Sequence, residues 1–418
     1  MRNLSRTFFF LCLALYPNMG ISQKKCGTET KRYEALQRNP DLIHDREIIS
    51  EFTKKWIEKD AFSKTTNAAI KIPVVVHVVW RTANQNISDE QIKSQIDILN
   101  RDFRKLNNDF NKTPAAFSSL IADVGIEFCL AARDPAGMAT NGITRTKTTV
   151  SNIGDKDRWF STIKGGKDPW NVKKYINIWV CEAGEDLYGF AFLPGTAEPP
   201  EADGLVISPQ YFGSLGTAIA SFPNHKGRTT THEMGHYFNL EHLWGPDDSE
   251  CEEGDGVSDT PPQFEANYDC PSFPVRDDCS PSGNGVLFFN YMDYVDDECM
   301  YMFTEGQKKR MLATLNGYRS TLLGQTNCSL STALPNELSG LSLEIYPNPT
   351  AGLLFIKSKN QMGAEKNIYL YDFMGRILQK KSTLGGCTFD ITGYSPGIYW
   401  LKMENEEKPY RIVVSPLK

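Results

Sequence analysis

The chain has 418 residues, 40% hydrophobic and 23% charged, with a net charge of −6. That balance excludes a disordered or fibrous chain and gives no reason to expect a nucleic-acid or anionic-membrane partner. At about 150 residues per domain, the length allows roughly two to three domains.

Arg2 and Arg6 precede an apolar run from Phe8 to Tyr16, and the small residues Gly20 and Ser22 follow. This predicts a secretory signal peptide over 1–22. The run is shorter than the 18–20 residues a membrane span needs, so no transmembrane segment is expected in the mature protein. Export to an oxidising compartment suits the ten cysteines. Residues 23–70 are polar and lysine-rich, with a helical stretch at Arg46 to Glu58 and little core signal.

Order begins at Ile72. The β-branched run to Trp80 predicts a buried strand, with His77 a satisfied core residue. Ser88-Asp89-Glu90-Gln91 reads as a capping box, opening a helix over 89–105. Strand followed by helix suggests an α/β layer. Further strands are predicted at Ile126–Ala131, Tyr175–Cys181 and Gly204–Ser208, and a helix at 305–323. The stretch from Asp247 to Asn284 is rich in Gly, Pro, Asp, Ser and Cys, a long irregular loop that needs pinning. Residues 328–342 read as a linker. Seven short alternating segments from Leu343 to Val414 predict a small all-β sandwich over 343–418.

Three of the six histidines fall between residues 232 and 242. In the segment Thr231 to His242, His232 and His236 are four apart and share one helix face, so both can reach one zinc. Glu233 is placed to take a proton from a zinc-activated water. A continuous helix would carry His242 about 15 Å from His232, so a third ligand requires a sharp turn between them. Glycine is the usual turning residue; here it is Asn239, which also tolerates a left-handed conformation. Downstream, Met292 in Asn290-Tyr291-Met292-Asp293-Tyr294 suits the base under a metal. Tyr294 suits a hydrogen-bond donor to an oxyanion.

These residues, with Ile72–Trp80, Gln91–Phe103, Asn177–Val180, Asp255–Gln263 and Asn290–Cys299, resemble the bacterial secreted branch of the pappalysin family of metzincin metallopeptidases. The resemblance covers roughly 70–325, within a catalytic domain placed at 65–327. It implies a zincin-like twisted sheet with backing helices above an irregular lower subdomain. It also implies a peptide substrate extended along an edge strand, expected at Gly204–Ser208. By matching positions it implies that Asp297 selects Arg or Lys after the scissile bond, and that Asp255, the Val257 carbonyl, Asp259 and Thr260 hold Ca²⁺. Four cysteines allow three pairings; the resemblance implies Cys251–Cys279 and Cys270–Cys299. Cys129, Cys181, Cys328 and Cys387 stay unassigned, with a Cys129–Cys181 pair open.

Residues 23–64 are expected to form a propeptide, with Cys26 ligating zinc in a latent zymogen, removed for instance between Ser63 and Lys64. Tyr346-Pro347-Asn348-Pro349, Leu370-Tyr371-Asp372 and Gly397-Ile398-Tyr399 resemble the type IX secretion sorting domain, which implies that machinery as a partner and a secreted or cell-surface destination. The leading reading is a secreted zinc endopeptidase acting on proteins or peptides. The rivals are a surface binding protein with an inactive metal site and a zinc hydrolase acting on non-peptide bonds.

Overall fold

The structure is a computed structural model. It describes residues 26–59, 69–328 and 343–415, apart from 156, 247–250, 253, 351, 359–364, 373–375, 385 and 405–409. The expected signal peptide, the Ser63–Lys64 bond and all but the first residue of the linker lie outside the described residues. The chain divides into two units, Met1–Ser331 and Thr332–Lys418.

The first unit is organised by β1 (Ile70–Trp80). Its β-branched residues are buried on both faces, the pattern of a parallel strand covered on both sides. One edge of β1 pairs with β2 (Ile126–Leu130) along its first half and with β3 (Ile143–Lys147) along its second. The other edge pairs with β4 (Ile176–Val180). All three pairings are parallel. Beyond β4 lies β6 (Leu205–Ile207), and β5 (Gly189–Ala191) closes the sheet antiparallel to β6. The edge strand is therefore β5, which corrects the expectation of Gly204–Ser208: β6 lies inside, between β4 and β5. A three-residue strand containing glycine carries too little alternation to be read from sequence.

Helix α3 (Asp89–Phe103) buries Ile92, Ile96, Leu99 and Phe103 in the core that includes β1 and β2. Its capping box is half made. Ser88 Oγ accepts from Gln91 N at 3.1 Å, but the Gln91 amide turns away to donate to the carbonyls of Pro209 and Phe212. Helix α4 (Arg228–Tyr237) carries the histidine motif, and α5 (Glu305–Asn316) follows the irregular region. Before the sheet stand α1 (Thr28–Arg38) and α2 (Leu42–Glu58). Disulfides join Cys251–Cys279, Cys270–Cys299 and Cys129–Cys328, while Cys181 is a buried free thiol. The open Cys129–Cys181 possibility is thus corrected: Cys129 pairs across a separation of 199 residues, a distance no local pattern reveals.

The second unit has two antiparallel sheets. One contains β9 (Lys366–Tyr371), β10 (Ile377–Thr383), β12 (Gly397–Met403) and β13 (Tyr410–Val414). The other contains β7 (Leu343–Tyr346), β8 (Leu353–Ser358) and β11 (Gly386–Asp390). Leu354, Ile356, Ile368, Leu370, Phe389 and Leu401 form its core. This is the sandwich expected from the seven alternating segments.

His77 is fully buried between Thr144 Oγ1 (2.8 Å) and Asn177 Oδ1 (3.0 Å), and burial pushes its imidazole from the ordinary 6.5 down to about 4. Below pH 6.5 the unfolded chain binds a proton that the folded chain refuses. This contribution to stability is therefore complete above about pH 6.5 and is lost as pH falls toward 4, by up to roughly 3 kcal/mol. Urea denaturation across that range should show the loss, and His77→Gln should flatten it.

Candidate active site

The local chain explains why three histidines converge. Gly227, in the left-handed region at φ 74°, starts α4, and His232 and His236 occupy one face. The helix stops at Tyr237. Asn239 then takes φ 76°, and Leu240 N returns to the Gly235 carbonyl at 3.0 Å. This reversal brings His242 back beside the helix. The three Nε2 atoms lie 3.1–3.2 Å from one another.

That triangle has a chemical meaning. His232 Nδ1 lies 2.7 Å from the Tyr291 carbonyl, and His236 Nδ1 lies 2.7 Å from the Leu240 carbonyl. A carbonyl can only accept, so each Nδ1 carries the hydrogen and each Nε2 presents a bare lone pair. Burial lowers His236 to about 4 and His242 well below its ordinary range, keeping both neutral. Lone pairs held together in this way repel unless a cation stands between them. Tetrahedral zinc with bonds of about 2.0–2.1 Å needs nitrogens roughly 3.3 Å apart, close to the spacing found. The donors therefore fit zinc. Cys26 Sγ completes the set: its sulfur and the three imidazole nitrogens lie within 4.8 Å of one another.

Cys26 arrives from outside the sheet. It forms a parallel bridge with Gly189 of β5, and Gly27 N donates to Gly189 O at 2.9 Å. Thr28 continues the contact, its hydroxyl accepting from Ala191 N at 3.0 Å. Glu233 is fully buried, with Oε2 3.2 Å from Thr28 Oγ1 and 3.5 Å from Cys26 Sγ. Burial raises its carboxyl to about 8, and burial beside Glu233 drives the Cys26 thiol well above its ordinary range.

Below the helix, Asn290 fixes the turn that follows. Its side chain exchanges hydrogen bonds with Gln307 at 2.8 and 3.0 Å and accepts from Met292 N at 3.0 Å. Met292 is fully buried, with its sulfur against Gly235. Tyr294 packs against His242 and His232, with ring centroids 5.0 and 5.6 Å away, and its hydroxyl reaches Cys26. Beside this lies a small cavity lined by Tyr188, Arg228, Glu233, Tyr294 and Asp297. Asp297 is buried and accepts from Lys226 N at 2.6 Å; Arg228 is held by Asp109 and by the carbonyls of Asp297 and Met300. Apart from these, the loop at 255–260 closes on itself. Thr260 Oγ1 lies 2.7 Å from Asp255 Oδ1 and 2.8 Å from the Val257 carbonyl, and Asp259 accepts from Thr304 and Gly306 at the start of α5.

A buried tri-histidine cluster on a helix that breaks at a left-handed residue, over a buried methionine, defines a metalloprotease of the metzincin class. Residues 162–316 match the family described as pregnancy-associated plasma protein-A, and residues 344–415 match the secretion system C-terminal sorting domain. An extracellular metalloprotease of Arthroderma gypseum is 30% identical over 285 residues, covering 66% of this chain and 83% of that protein. The chain belongs to the pappalysin family of metallopeptidases and carries a type IX secretion sorting domain. That domain marks it for the cell exterior. Among solved structures, mature mirolysin from Tannerella forsythia in complex with a cleaved peptide is 47% identical, with a TM-score of 0.59 over 61% of this chain and 96% of that one. A promirolysin mutant from the same organism is 42% identical, with a TM-score of 0.63 over 72% of this chain and 97% of that one.

Two elements of this site escape a motif reading: the three-residue strand β5 and the carboxylate of Glu241, which sits between two of the clustered histidines. The only signal for Glu241 is its place next to His242.

The fit of Met292 under α4 is testable. A Cβ on Gly235 would overlap Met292 Sδ. Alanine is the better helix former by about 1 kcal/mol, but overpacking a closed core costs about 1–3 kcal/mol. Gly235→Ala should therefore destabilise the protein in urea denaturation, and adding Met292→Ala should recover part of the loss.

Proposed function

We propose that the first unit is a zinc endopeptidase held latent by its own amino-terminal segment. The observation that carries this reading is the triangle of bare imidazole nitrogens closed by a cysteine thiol. His232, His236 and His242 would hold the metal, and Met292 would form its floor. Zinc bound there supplies Lewis acidity, polarising a carbonyl oxygen and acidifying water.

This chain's own residues supply the rest. Glu233 takes a proton from the attacking water and returns it to the leaving amine. The Tyr294 hydroxyl donates to the oxygen on which negative charge develops. Strand β5 offers its free edge to an extended substrate. Asp297, buried in the neighbouring cavity, receives Arg or Lys following the scissile bond.

Latency would follow from Cys26, whose sulfur would join the three histidines in holding the metal. Helices α1 and α2 lie within residues 23–64, which we read as the removable propeptide preceding a catalytic domain at 65–327. The promirolysin match reaches 72% of this chain where the mature one reaches 61%, which supports a comparable extra segment here. A signal peptide at 1–22 and a sorting domain at 343–418, joined by a linker at 328–342, complete the organisation, with the type IX machinery as export partner. Calcium at Asp255, the Val257 carbonyl, Asp259 and Thr260 is a further part of the proposal. Its support is Asp255 Oδ2, buried without a hydrogen-bond partner among the described residues.

Purified full-length protein, once processed, should cleave a peptide library. Glu233→Ala should lower kcat by about 10³-fold, and a chelator should abolish turnover reversibly on zinc addition. Equal turnover by both proteins would end the peptidase reading. Sequencing the cut sites tests Asp297, where Asp297→Asn should erase a preference for Arg or Lys after the cut. Calcium-selective chelation should lower Tm if the 255–260 loop holds Ca²⁺.

Cys26→Ala should shorten the lag before activity appears in freshly purified full-length protein. An unchanged lag would remove the thiol from the latency mechanism.

A further inference from the structure

Glu241 ties the amino-terminal segment to the turn between the clustered histidines, and it stays behind when that segment is removed. It stands on the reversal between His236 and His242, and only 7% of its surface is exposed. Both its described ion-pair partners are arginines of the amino-terminal segment. Arg46 Nη2 lies 3.0 Å from Oε1, and Arg32 Nη1 lies 3.3 Å from Oε2. The Arg46 guanidinium also donates to Asn239 Oδ1 at 2.6 Å and to the Pro194 carbonyl at 3.1 Å. A carboxylate, an amide oxygen and a main-chain carbonyl thus form a cradle of acceptors around one guanidinium.

Removing the segment takes away both cations. Arg310, which is retained and bonds to the same turn, is held elsewhere, donating to the Asn239 carbonyl at 2.6 Å and the Gly256 carbonyl at 3.3 Å. No described hydrogen bond or ion pair joins it to Glu241. The segment supplies part of that burial, so once it leaves, a carboxylate flanked by acceptors opens without a paired cation, and an incoming guanidinium can replace the lost pairs.

The position of the cradle follows from β5. At the start of this strand, Tyr188 lines the cavity that holds Asp297. Past its end, the Pro194 carbonyl shares the Arg46 guanidinium with Glu241. Asp297 and Glu241 therefore stand toward opposite ends of β5. If Asp297 receives the residue after the scissile bond, the substrate runs antiparallel to β5 and its preceding residues reach the Glu241 end.

We propose that Glu241, with Asn239 and the Pro194 carbonyl, forms a second cation-binding subsite that selects Arg, and less strongly Lys, within about three residues before the scissile bond. Arg is favoured because its planar fork can meet several acceptors at once. This rests on reading His232, His236 and His242 as the catalytic centre and residues 23–64 as removable.

The test uses full-length protein after maturation, with loss of the segment verified by mass spectrometry. Peptides sharing one cut site carry Arg, Lys, Ala or Glu at each of the three preceding positions. In the wild type, Arg at one position should raise kcat/KM on the order of tenfold over Ala. Glu241→Gln should bring that ratio to about one, and Glu241→Lys should favour Glu instead; as ratios, these readouts are insensitive to a general loss of activity. A flat profile in the wild type, or an Arg preference that survives Glu241→Gln, would overturn the proposal. Product peptides ending at the cut site, followed by fluorescence anisotropy, give the same comparison without turnover. Absent cleavage with Arg-selective binding would sink the peptidase reading and leave Glu241 standing. Cleavage without Arg selectivity would do the reverse.

Discussion

Three imidazole Nε2 atoms about 3 Å apart are an arrangement that a protein adopts only under compulsion. Here the compulsion is distributed. The Tyr291 and Leu240 carbonyls fix two tautomers, the left-handed turn at Asn239 returns His242, and Met292 fills the space below Gly235. Each of these is fixed in turn by something more remote. The turn at Asn290 is tied to Gln307 at the start of α5, and α4 packs under β5 and β6. The sheet, the irregular region and the last helix of the unit all converge on holding one electrostatically unfavourable geometry that a cation makes favourable.

The cleft edge is the second constraint. Strand β5 has an open side, and residues 26–28 occupy it through bonds to Gly189 and Ala191. An exposed strand edge is a template for another chain, and covering it is one way in which proteins manage that liability. In this molecule the cover and the cysteine beside the histidines belong to the same short stretch, so whatever displaces one displaces the other.

What could be read from the sequence followed the range of the forces involved. The histidine pair, the Met292 turn and β1 rest on local periodicity and were legible. So were the seven strands of the second unit, because alternation over four or more residues survives there without tertiary help. The half-made capping box at Ser88 shows the limit: local chemistry proposed Gln91 as the reciprocal partner, but two distant carbonyls bid for its amide. Strand β5 is too short to carry a pattern, and α1 lacks a hydrophobic stripe because it docks through Lys31, Arg32 and Thr28. Lys31, for instance, is buried with its ammonium over the rings of Trp159 and Phe190. Partners from opposite ends of a domain, such as Cys129 and Cys328, leave no trace in either neighbourhood.

That last disulfide has a consequence for the durability of the molecule. It closes a covalent ring from residue 129 to residue 328 that contains α4, the three histidines, Met292 and two smaller rings, 251–279 and 270–299. A single backbone cut anywhere inside a ring opens it without separating the pieces. A protease outside the cell is surrounded by copies of itself, so nicking of its surface loops is a routine hazard. A nick between residues 129 and 328 is therefore a scar rather than a dismemberment, and the pieces on either side of it stay one covalent body.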